Sequence, residues 1–118
     1  METAYQFWDK VNTSKLQILR RDFESLSMKD SESVNSFYTR VVCLINQLKS
    51  HGETITDQRV VAKILRSIPL RFENLVVTLE EHTDMTTFTI DELQGSLINH
   101  EHRLSRTQTS LEGAFAAH

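Results

Sequence analysis

The sequence holds one cysteine, one proline and three glycines in 118 residues. A lone cysteine, Cys43, cannot form an intrachain disulfide, which points to a reducing compartment. Glycine and proline are too few for the many tight turns of a sandwich or barrel. No run of about 18 apolar residues is present to span a membrane. The N-terminus also lacks the basic-then-apolar layout of a signal peptide. A cytoplasmic protein with no membrane partner is expected. Basic charge is also scarce: 13 Lys and Arg stand against 16 Asp and Glu, a formal net charge of −3. Domains that live by gripping phosphates are usually basic, so nucleic acid is not expected as the main ligand.

Catalytic motifs are missing as well. There is no Gly-rich phosphate loop, no Gly-x-Ser-x-Gly elbow and no His-Glu-x-x-His pair. A structural zinc site needs four ligands at characteristic spacing, and one cysteine with scattered histidines does not supply them. His100 and His102 are two residues apart and point to different sides of a helix. Cys43 sits in an apolar stretch, where a free thiol is expected to act as a small hydrophobe. No metal, cofactor, small-molecule substrate or enzymatic activity is expected.

What the chain does have is helical periodicity. Its 39% hydrophobic and 25% charged residues suit one folded domain rather than a disordered tail. The first twelve residues carry Tyr5, Phe7, Trp8 and Val11 without an evident helix start, and read as an arm or short helix. From Thr13, Leu16, Leu19, Phe23 and Leu26 recur at spacings of three and four. The polar stretch at 27–31 breaks this pattern and offers Asp30 or Ser31 as the cap of a second helix. That helix carries Val34, Phe37, Tyr38, Val41, Leu44, Ile45 and Leu48 on one face. Val42 and Cys43 are expected to widen its apolar surface, and Gly52 to stop it.

Thr56 reads as the cap of a third helix, with Ile55 and Val60 at the spacing of a hydrophobic staple. Val60, Val61, Ile64, Leu65 and Ile68 follow, and Pro69 ends the run. A fourth helix carries Phe72, Leu75, Val76 and Leu79. Thr89-Ile90-Asp91-Glu92 is a capping box that opens a fifth, flanked by Phe88 and Leu93. Ile90, Leu93, Leu97 and Leu104 mark its apolar face. Gly95 inside it suggests close packing against a neighbour. Beyond Arg103 the helix is expected to fray, with Leu111 and Phe115 able to extend a last weak turn. The expected fold is all-α, a bundle of about five helices: an arm over 1–12, a domain over 13–104 and a tail over 105–118.

One stretch is more specific. Asp30-Ser31-Glu32-Ser33-Val34-Asn35-Ser36-Phe37-Tyr38-Thr39-Arg40-Val41 resembles the signature of retroviral and retrotransposon Gag proteins. Glu32, Val34, Phe37 and Arg40 stand where that family has an acid, a hydrophobe, an aromatic and an arginine, the counterpart of the retroviral major homology region. Leu16-Gln17-Ile18-Leu19-Arg20-Arg21-Asp22-Phe23-Glu24, Ile45-Asn46-Gln47-Leu48, Lys63-Ile64-Leu65-Arg66-Ser67-Ile68-Pro69 and Thr89-Ile90-Asp91-Glu92-Leu93 are similar to plant copia-type Gag. The resemblance covers residues 3–116. It implies a capsid-like domain that works by self-association into shells, in virus-like particles; a homodimer or higher oligomer is expected, since the symmetric dimer is the commonest closed assembly. Full-length relatives have helices upstream and a zinc knuckle downstream. Neither pattern is in this sequence, so RNA binding is not carried over.

Within this frame, Arg40 is expected to lock the fold by holding a neighbouring turn, its carbonyls or the Glu32 carboxylate. Two charge blocks suggest a way for one subunit to steer another. Arg59, Lys63, Arg66 and Arg71 form a basic run, while residues 72–102 hold acids, Glu80 and Glu81 among them, and no Lys or Arg. The alternative is that these charges are solvated or pair within the monomer. Tyr5, Phe7 and Trp8 are the apolar candidates for an interface. Two other roles fit the same sequence: a domesticated Gag domain serving as a host adaptor, or weak RNA binding through the 59–71 face.

Overall fold

Seven apolar positions at spacings of three and four make one stripe of α2, Val34–Ser50, and all seven are buried. The computed structural model, which describes residues 3–116 and the side chains of residues 3–106, builds the molecule around that stripe. Helix α1 spans Ala4–Glu24, α3 Asp57–Ser67, α4 Glu73–His82 and α5 Ile90–Ala116. A single 3₁₀ turn over Leu70–Phe72 leads into α4. The fold is all-α, and no strand occurs among the described residues. Helix α1 packs on α2, α2 on α5 and α5 on α3. The core joins Phe23, Phe37, Leu48, Ile64, Phe72 and Leu97 with their neighbours from every helix.

The local signals explain most of the boundaries. Thr56 accepts the amide of Arg59 at 3.2 Å and opens α3, with Ile55 and Val60 both buried beneath the cap. Thr89 accepts the Glu92 amide at 3.1 Å while Glu92 accepts the Thr89 amide at 3.3 Å. Phe88 and Leu93 are buried beside this box. Gly52 adopts φ 93°, a left-handed conformation that costs a glycine little and ends α2 within two residues of Ser50. Ile68 is extended ahead of Pro69, as the residue before a proline tends to be.

Three expectations need correction, and two helices run farther than their apolar patterns suggest. The cap of α2 is Ser33, whose hydroxyl accepts the Ser36 amide at 3.1 Å, not Asp30 or Ser31. Val42 and Cys43 do not widen the buried face: Val42 is 45% exposed and Cys43 is exposed. Nothing lies within 4 Å of a Cβ built on Gly95, so no close packing explains that glycine. Helix α1 begins at Ala4, because Thr3 and Gln6 form a reciprocal capping box at 3.2 and 2.8 Å. The segment after Arg103 remains helical to Ala116. The side chains of Leu111 and Phe115 lie outside the described ones.

The result is long. The radius of gyration is 19.0 Å, with extents of 79 × 32 × 17 Å, whereas a compact chain of this length would have about 13–14 Å. Contacts along α2 show why. Asn12 of α1 meets His51, just past the end of α2, so residues 4–11 project about 12 Å beyond it. Glu101 of α5 meets Val34, the first residue of α2, and α5 continues past that opposite end.

Candidate functional site

The Glu32 carboxylate is the centre of a clamp on the connection between α1 and α2. Arg40 Nε donates to Glu32 Oε2 at 2.8 Å and Arg40 Nη2 to Oε1 at 2.7 Å. The same Nη2 donates to the Ser27 carbonyl at 2.8 Å. Glu32 also accepts the Lys29 amide at 3.2 Å and the Ser36 hydroxyl at 3.4 Å. These are charge-assisted bonds on a side chain only 9% exposed. The hydrogen bonds from Arg40, helped by the Lys29 amide and the Arg40 charge, hold the Glu32 carboxyl down at about 2 against burial, which acts the other way. Burial opposes but does not reverse the rise that Glu32 imposes on Arg40.

A second arginine reinforces the clamp from across the fold. Arg71 Nη1 donates to the Asp30 carbonyl at 2.7 Å and Nη2 to the Glu32 carbonyl at 3.2 Å. Its own carbonyl accepts His100 Nε2 at 3.2 Å. Below the loop, the buried Met28 donates its amide to the Ser67 carbonyl at 2.9 Å. Residues 27–32 are thus tied to α2, α3 and the 3₁₀ turn at once, and the 3₁₀ turn in turn to α5 through His100. Glu101 completes the arrangement by accepting the Val34 amide at 3.0 Å, serving one of the four amides that open a helix without partners.

Of the four residues in the Gag-like signature, Glu32 and Arg40 meet as a pair. Val34 and Phe37 are fully buried beside them. Arg40 also lies over the Phe37 ring at 5.5 Å. Arg59 covers Phe23 at 5.4 Å and Arg71 covers Phe72 at 5.0 Å, so three guanidinium groups roof three core rings.

The basic run is largely spent inside the chain. Arg59 lies 3.8 Å from Glu24 and 3.9 Å from Glu53. Lys63 Nζ donates to the Glu24 carbonyl at 2.6 Å, at the C-terminal end of α1 where a cation is favoured. Arg71 is engaged as described. Arg66 and Glu80 are exposed at the rim of an open depression of about 200 Å³ over Val61, Leu65 and Met85. Glu81 stands beside His82 at 3.9 Å.

Tyr5, Phe7 and Trp8 are not brought to this clamp. They sit on the projecting end of α1, exposed by 79%, 57% and 67%. Tyr5 and Trp8 continue the helix stripe of Asn12, Leu16, Leu19 and Phe23, at spacings of three, four, four, three and four. That stripe faces the core from Asn12 onward, whereas Tyr5 and Trp8 before it are largely exposed, because α2 has ended. Leu16 and Leu19 are packed against the core and Phe23 is buried.

Sequence reasoning named Arg71 only as part of a basic run, and did not single out Glu101 or Met28. Their partners lie 29 to 67 positions away, at His100, Asp30, Glu32, Val34 and Ser67, and no local pattern announces such pairs. The Thr3-Gln6 box was legible in principle, since a Thr followed three residues later by Gln is a helix-start signature. Among the described residues, no group of three or more His, Cys, Asp or Glu could hold a metal.

The described residues present an all-helical body whose interhelical loop is clamped by Glu32 and Arg40, with exposed aromatic residues at one helix end. The model of the family described as gag-polypeptide of LTR copia-type matches residues 1–110, and the chain belongs to that family. No curated protein matches the chain. No solved structure matches it either.

Proposed function

We propose that this chain is a structural self-association module of a copia-type Gag protein, without catalytic activity, that contributes to capsid or virus-like-particle assembly. The observation that carries the reading is its shape. Two long helices overrun the shared core at opposite ends, and one overrun carries exposed aromatic residues. Exposed apolar surface in one place commonly marks a contact with another macromolecule. Elements at both ends give each subunit more than one neighbour, as a shell or lattice requires. Family membership supplies the biological setting.

The geometry gives the RNA reading little support, because Arg59, Lys63 and Arg71 are held by partners within the chain. Of the two candidate interfaces, the exposed aromatic residues Tyr5, Phe7 and Trp8 support the self-association reading better than the charge blocks. Mass measured across a concentration series at low and high salt, followed by imaging of the concentrated sample, tests the proposal. Dimers or larger particles are expected at both salt concentrations, since apolar contacts are not screened. A monomer at every concentration contradicts it.

A further inference from the structure

Helix α3, helix α4 and the loop over residues 83–89 border the open depression of about 200 Å³. One face of α3 lines it from Gln58 to Arg66, two turns or about 12 Å of helix. Met85, in the loop, lines another side. The two walls are tied together, because Gln58 Nε2 donates to the Thr86 carbonyl at 2.8 Å. The floor is apolar. Val61 is buried, Leu65 and Met85 are half-buried against the core, and Ala62 is exposed beside them. Arg66 of α3 and Glu80 of α4 stand at the rim, both exposed. Although opposite in sign, they do not pair with each other or with any other charge among the described residues. Arg59, Lys63 and Arg71, by contrast, are all engaged within the chain.

We infer that this depression docks an amphipathic helix of a separate protein, which sets one or two aliphatic side chains over Leu65 and Met85, an acid against Arg66 and a base against Glu80. Charge selects the partner's chemistry. A nucleic acid would meet repulsion at Glu80, and a purely apolar ligand would leave both rim charges unanswered, whereas an apolar residue flanked by one acid and one base answers both. Size selects a side chain over a cofactor, since small-molecule sites span about 300–1,000 Å³. Length fits a helix, whose anchors recur every three or four residues along one face. Shape argues against a two-fold pair of this chain here, because an isologous contact would set hollow against hollow.

The walls are held before binding, so little has to be ordered when the partner arrives. Methionine in the floor adapts to aliphatic side chains of different shape. The covered area is small, and the complex is weak and transient, below the size of stable interfaces at about 1,200–2,000 Å².

This inference does not depend on the self-association proposed above. Titration of the ¹⁵N-labelled full chain with designed alanine-rich helical peptides, followed by amide NMR shifts, is the test. The first peptide carries Glu, Leu, Leu and Lys in that order at intervals of four; the second replaces its Glu with Lys; the third replaces both leucines with Ala. The first peptide is expected to shift the amides of Ala62, Leu65, Arg66 and Met85. The third is expected to bind about tenfold or more weakly, as loss of the anchors does. Ala62→Gln, which fills the depression from an exposed position, is expected to abolish the shifts while its own spectrum remains that of the folded chain. The wild-type chain is expected to prefer the first peptide to the second, and Arg66→Glu to reverse that preference, a reversal that no merely structural role of Arg66 produces. Absence of shifts at millimolar peptide, or shifts centred elsewhere, overturns the site. An unchanged preference in Arg66→Glu overturns the charge-matched partner. Sedimentation of Ala62→Gln covers the remaining occupant: if the substitution weakens association of the chain with itself, a second copy fills the depression and the separate partner is overturned.

Discussion

Arg40 is more than half covered and places two of its nitrogens on one carboxylate, so it differs from an ordinary surface arginine. Removing it leaves Glu32, only 9% exposed, without its main donors. Arg40→Ala is expected to lower unfolding stability by about 1–3 kcal/mol at neutral pH, the range for hydrogen bonds to charged groups. Urea titration measures this. The pH dependence carries a second signature. Glu32 titrates near 2 in the folded chain instead of its ordinary 4.5, so its contribution is complete above about 4.5. It is lost as the pH falls from there towards 2, because the unfolded chain takes up the proton first. In Arg40→Ala this acid limb should flatten, and an unchanged limb would show that the arginine does not hold the carboxyl down. Glu101 offers an independent check on the other side of the same helix start. Glu101→Ala is expected to cost about 1 kcal/mol, as the loss of a helix cap does, while Glu101→Gln keeps an acceptor for the Val34 amide and should cost less.

Among the elements, α5 contains the clearest local misfit. Gly95 lies in mid-helix with a negative backbone φ and with open space where a Cβ would project. Gly95→Ala should therefore stabilise the protein by about 1 kcal/mol, the difference in helix propensity, with a rise in melting temperature as the readout. Destabilisation would mean that α5 meets something at this point. Helix α2 shows how narrow its packed stripe is. Val41 is fully buried while its neighbour Val42 is 45% exposed, and the exposed Cys43 follows. Composition suggests a broad apolar surface here, but only positions spaced by three and four reach the core. Tyr38 is on the buried side, donating its hydroxyl to the Ile90 carbonyl at 3.2 Å. Burial, with the nearby Asp91 charge, pushes its phenol upward.

At the scale of the whole molecule, the helices are individually ordinary, but their offsets are not. A radius of gyration of 19.0 Å follows from α1 and α5 leaving the core in opposite directions. Small-angle scattering extrapolated to zero concentration should give a value close to this, whereas about 13–14 Å would mean that the ends fold back.

Much of this architecture is legible from residues within one turn of each other. Thr56, Thr89 and Gly52 announce their helix boundaries, and the seven buried positions of α2 announce their face, because capping and helical periodicity are local physics. The Thr3-Gln6 box belongs to the same class, but the apolar periodicity beside it is weak. The Glu32–Arg40 pair spans eight residues, and the Gag-like signature marks both of its positions. Sequence alone thus determined the helical class, the order of the helices, most of their ends and the family. Tertiary structure decided which apolar residues are covered, that Arg59, Lys63 and Arg71 bind within the chain, and that Glu101 caps a helix 67 positions away. The physical reason is range. A helix and its cap are set by neighbours three or four residues apart, but burial depends on where a partner helix stops. Tyr5 and Trp8 follow the same stripe as Phe23, and only the end of α2 at Ser50 separates an exposed aromatic from a buried one.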